Sequence, residues 1–280
     1  MVGLTALKPD ERRTVLVGSG LLFVVFAAYA LLETSRDAMF LIEASAAMLP
    51  RAYLAMALAI LGVAWLTERT FRSMERRTVL AGSLVTSAAG TAVFGWLLWE
   101  PSTAIVGVLY IWVGLVITFV VVQVWLAIDE TVTVSQAKRV YGLIGGSGLL
   151  GATLGSLAAE RLLTVFDVRW LVDGAVLLFA IATPLPLLLR LASDRPSRRS
   201  TRSKERILPL LRTEPYLRSL LAVAVCLSVI ATLVDFLFKN AVTTNLPAQQ
   251  LPVFFARFYL ARAQIRLGAL GCFGGLSAVG

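Results

Sequence analysis

The run TLVDFLFKNAV places an acid and a base four residues apart, Asp235 and Lys239, in an otherwise apolar stretch. Residues i and i+4 stack on one face of a helix, so the two side chains can pair. Two readings fit: a helix end fastened by its own salt bridge, or part of a site where charge holds an anion. A second step, Arg36–Asp37, sits in YALLETSRD. A charge at mid-membrane costs about 2.5–3.5 kcal/mol on insertion scales and tends to persist with a role or a partner. Near a helix end an arginine snorkels to the interface instead. A third group lies in WLAIDETVTVSQAKRVYG. There Asp129 and Glu130 either face a solute path or pair with Lys138 and Arg139 at the membrane surface, where bridges contribute little.

Other chemistries are excluded. The chain has no histidine, which removes histidine acid–base catalysis and histidine-ligated metals. Cys226 and Cys272 are far apart in apolar segments and read as buried hydrophobes, not a redox pair or a zinc cluster. Gly146–Gly151 matches G-x-G-x-x-G, but without the strand that a dinucleotide site needs. The small residues Gly148, Gly151, Ala152, Gly155 and Ser156 instead suit close helix packing in a membrane. No Walker A run, no nucleophile with its base and no metal or cofactor site emerges, so the chain does not read as an enzyme.

These charges must be positioned by membrane helices. The 280 residues are 58% hydrophobic and 15% charged, too few charges to cover a water-facing surface. Eight hydrophobic segments follow: Thr14–Leu32, Ala46–Leu66, Thr78–Trp99, Ala104–Ile128, Val140–Leu163, Val172–Leu191, Leu220–Phe238 and, more weakly, Leu251–Leu270. Placing the N-terminus in the cytoplasm puts Lys8, Arg12, Arg13, Arg69–Arg77, Lys138, Arg139 and Arg190–Arg218 inside. It leaves Arg36, Arg51, Arg161, Arg169 and Lys239 outside, as the positive-inside rule requires. The net charge of +9 thus reads as topology and not as nucleic-acid binding. The expected organisation is a six-helix bundle over 1–191, a basic cytoplasmic linker over 192–216, and two further helices over 217–280. Six helices, a basic linker and more helices is the layout of a major-facilitator-like transporter.

Three stretches together carry a resemblance: LLETSRDAMFL, WLAIDETVTVSQAKRVYGLIGGSG, and LVDFLFKNAV followed by LPVFFARFYLA. The chain resembles the ATP/ADP translocase family of plastids and obligate intracellular bacteria, and in particular its relatives in free-living bacteria. The resemblance implies a major-facilitator-like, all-α fold and exchange of anionic nucleotides such as ATP and ADP across a bacterial cytoplasmic membrane. It places substrate-binding roles on Arg36, Asp37, Lys138, Asp235 and Lys239. Arginine at 36 departs from the lysine usual in nucleotide exchangers. The family has twelve helices, so the chain is expected to be a truncated or frame-shifted piece, its tail carrying Arg257, Arg262 and Arg266. The competing expectation is a membrane anchor, derived from a transporter, that binds partners without moving a solute.

Overall fold

The structure is a computed structural model, and it describes residues 9–70, 74–131, 134–188 and 215–276. It is helical throughout these residues, and seven of its helices are long and apolar enough to cross a membrane. The helices are α1 (Pro9–Glu43), α2 (Leu49–Thr70), α3 (Arg76–Leu97), α4 (Thr103–Asp129), α5 (Val134–Leu162), α6 (Trp170–Ala182), α7 (Pro215–Asn245) and α8 (Leu251–Leu276). The first seven supply the membrane-length spans, α6 together with the short turn that follows it. In α8 the arginines at 257, 262 and 266 interrupt the apolar run.

Local chemistry sets the boundaries. The hydropathy of α1 falls at Glu33, which is why the sequence predicts its end at Leu32. The helix instead continues to Glu43. Nothing from Leu21 to Glu43 is glycine or proline, and the Thr34 and Ser35 hydroxyls donate back to the carbonyls of Ala30 and Leu32. Those polar side chains are therefore satisfied inside the helix and do not break it. Past α1, Ser45 accepts from the Ala47 amide and caps a short 3-10 turn. Ser102 accepts from the Ile105 amide, three residues on, and starts α4 in the same way. Pro184 and Pro186 bring α6 to a close, since proline lacks the amide that a helix interior needs.

The described residues fall into two compact units. One comprises Met1–Leu191 with Pro247–Gly280, the other Ala192–Leu246. In the first unit α1 is the central element, packed on α4, α5, α6 and α8. Its core is Leu21, Leu22, Val25, Ala28, Leu31 and Leu32 against Leu109, Val113, Ile144, Val172 and Phe179. Outward faces carry apolar side chains in helical stripes, such as Leu54, Leu58, Leu61 and Trp65 of α2, as lipid-facing surfaces do. In the second unit α7 is described as a single long apolar helix. Cys226 on it is exposed, contrary to the buried position expected from its apolar segment. The linker expected over 192–216 lies outside the described residues up to position 214.

The small residues of α5 meet α1. A Cβ on Gly151 would collide with the backbone of Phe23, and one on Gly155 would lie 2.6 Å from the Ala27 carbonyl oxygen. Ser147 adds a hydrogen bond of 3.0 Å to the carbonyl of Ser19. The pairs 147–19, 151–23 and 155–27 advance together, so α1 and α5 run parallel. This is the close backbone approach that only glycine permits.

Candidate functional site

Arg36 and Asp37 lie well inside α1 and not at a helix end. They are 8% and 1% exposed, so Arg36 does not snorkel to the interface. The Arg36 guanidinium donates from Nε to Asp37 Oδ1 at 2.8 Å and stacks over the Tyr110 ring of α4, 4.5 Å from its centroid. Tyr110 is itself packed against Phe40 and Tyr53. An aromatic face attracts a cation and excludes water, so Arg36 is held by charge on one side and by a ring quadrupole on the other.

The rest of this cluster comes from α8. The Tyr259 hydroxyl donates to Asp37 Oδ2, and Arg262 Nη2 donates to Glu33 Oε2 at 2.7 Å. Arg262 also stacks over the Tyr259 ring at 4.5 Å. On α1, Glu33 and Asp37 are four residues apart; on α8, Tyr259 and Arg262 are three apart. Each pair therefore shares one helix face. Pairing 33 with 262 and 37 with 259 makes α1 and α8 antiparallel. Earlier on α8, Arg257 meets Glu160 of α5 at 2.9 Å. Two of the three arginines that interrupt the tail thus find acids in the first unit. An arginine paired in this way no longer carries the full insertion cost of an isolated charge.

The remaining expected residues are placed as follows. In the second unit, Lys239 Nζ lies 2.9 Å from Asp235 Oδ2, the i,i+4 pairing expected from the sequence. Lys138 lies in the first turns of α5, where its side chain is outside the described residues. Glu130 pairs with Arg76 at 3.2 Å, both sides of the pair about half exposed, and Asp129 accepts from the Tyr141 hydroxyl. These acids lie at an exposed helix end, held by Arg76 and Tyr141; the expected partners Lys138 and Arg139 have side chains outside the described residues.

Sequence reasoning missed Glu33, Tyr110, Tyr259 and Arg262 as members of the cluster. The available signal was the spacing 33/37 on one segment and 259/262 on another, each on one helical face. Reading the arginines of α8 as a sign of a faulty tail hid it.

A separate cavity of about 390 Å³ is lined by Met39 and Ile42 of α1, Phe166 and Arg169 of the α5–α6 loop, and Pro252 and Val253 of α8, and by none of the cluster residues. Chemically, the arrangement can bind an anion: two guanidinium groups are held in place by acids that an incoming anion can replace. Comparison with family models, with curated proteins and with solved structures gives no match to this chain.

Proposed function

We propose that this chain is a membrane transporter that moves an anionic solute by alternating access. Nucleotides of the ATP and ADP type are the proposed substrates, and exchange is the proposed mode. The fold is proposed to be major-facilitator-like, with the N-terminus in the cytoplasm and a bacterial cytoplasmic membrane as its location. The observation that carries the reading is the ionic cluster of buried Glu33, Arg36, Asp37 and Tyr259 with the part-exposed Arg262, inside a bundle of membrane-length helices. Ionisable groups at such depth are expensive and mark solute or ion paths by default. Arg36 and Arg262 supply the charge that phosphate oxygens require, and Asp37 and Glu33 balance it until substrate arrives. Lys138, Asp235 and Lys239 are proposed as substrate-binding residues by resemblance alone.

A non-transporting anchor is the second reading. What favours it is that the charges already satisfy one another in pairs. Uptake of labelled ATP into proteoliposomes preloaded with ADP separates the two. The transporter reading expects saturable uptake that falls at least roughly tenfold in Arg36→Gln, because a buried charge-assisted contact of about 1.5–3 kcal/mol is lost. Uptake at the level of protein-free liposomes, with binding of ATP also absent, leaves the anchor.

A further inference from the structure

Glu33 and Arg262 differ from the rest of the cluster in how they are held. Asp37 is held from two different helices, by Arg36 and by Tyr259, and is closed off from solvent. Glu33 is buried at 7% exposure, and among the described residues its ion pair is with Arg262. The Arg262 side chain is 37% exposed, against 9% for Arg36, so it is the guanidinium of the cluster that a dissolved anion reaches first.

We propose that Glu33 is a proton-binding group, released from Arg262 by the incoming anion and then neutralised by a proton from water. Anion binding at this site is thereby accompanied by proton uptake. The proposal rests on the transporter reading of the same site.

The balance of charge drives the step. An anion that takes Arg262 leaves Glu33 as a buried carboxylate without its counter-ion. A buried charge stripped of its partner is strongly unfavourable, and a carboxyl group in that position neutralises. Among the described residues, the groups around it offer no substitute cation. On α1, Arg36 is taken by Asp37 in the unloaded protein and by the anion in the loaded one, and Tyr29 lies one turn before Glu33. From α8 come Tyr259, which donates to Asp37, and Arg262 itself. Tyr110 of α4 lies under Arg36, and Asp129 of the same helix is held by Tyr141. Of the α5 charges near that end, Glu160 is taken by Arg257 and Arg161 is exposed. The one charged residue of α6, Asp173, faces Gly95 of α3. A proton is therefore the positive charge at hand. No bond other than this O–H forms, and the anion keeps its own charge on Arg262.

The test is calorimetric titration of the detergent-purified full chain with ATP, in two buffers of different ionisation enthalpy, alongside Glu33→Gln. The expected result is about one more proton taken up per ATP bound by the unmodified chain than by Glu33→Gln, the linkage expected when one group changes its protonation on binding. ATP binding with equal proton uptake in both overturns the proposal and leaves the transporter reading standing. Absence of ATP binding overturns both. If Glu33→Gln fails to fold, the infrared difference spectrum of the unmodified chain decides. ATP should produce a protonated-carboxyl band that shifts on 13C labelling of glutamate, and its absence counts against Glu33.

Discussion

Asp37 and Glu130 are both acids paired with an arginine, yet their surroundings differ. Asp37 is 1% exposed and held by Arg36 and the Tyr259 hydroxyl, whereas Glu130 and Arg76 are 45% and 41% exposed as side chains. Removing one partner of a buried pair strands the other charge and costs about 3–5 kcal/mol. An exposed pair contributes about 0–1 kcal/mol. Asp37→Asn is therefore expected to lower the melting temperature of the detergent-purified protein sharply, and the double change Arg36→Gln with Asp37→Asn to lower it less. Glu130→Gln should leave it nearly unchanged, and a similar loss for Glu130→Gln and Asp37→Asn would contradict the ranking. At this scale the sequence was half legible. Arg36 and Asp37 stand out because charge in an apolar helix is conspicuous, and Asp235 with Lys239 because their spacing is local. Tyr259 and Arg262 lie more than two hundred residues from their partners, and no local rule selects which helix face meets which.

The helices themselves follow from apolar length, which is why their number and approximate positions can be read directly. The α1 end cannot be: a hydropathy window sees Glu33, Arg36 and Asp37 as exit signals, whereas the backbone sees residues that continue a helix. The G-x-G-x-x-G run gives a sharper test at this level. Gly146 has open space where a Cβ would go, while Gly151 meets the α1 backbone. Gly146→Ala should be tolerated, with a gain of up to about 1 kcal/mol from helix propensity. Gly151→Ala should cost about 1–3 kcal/mol, since an added methyl in a packed seam moves backbone. Thermal unfolding in one detergent compares the two directly. Equal stability of both variants would mean that α1 and α5 do not meet at Gly151.

Across the chain, one end of the first unit gathers the start of α1, the end of α4 and the start of α3, as the Gly18–Ile128 and Arg76–Glu130 contacts require. Arg12, Arg13, Arg76 and Arg77 belong to that end. At other helix ends Arg169 stacks over Trp99 at 3.5 Å, in the manner of an interfacial anchor. Cysteines placed singly at Arg76 and at Glu100, in a chain without Cys226 and Cys272, should label from opposite sides of the membrane, position 76 from the cytoplasm. Labelling of position 76 from outside would reverse the proposed topology. The charges of Glu33, Arg36, Asp37 and Arg262 cancel, and so do those of Asp235 and Lys239. A neutral group does no electrical work when it shifts along the membrane normal, whereas each net charge would gain or lose about 2.3 kcal/mol per 100 mV. These groups should therefore contribute no voltage dependence in the unloaded protein, and under the transport proposed above any voltage dependence at this site would be carried by the substrate and by any ion that travels with it.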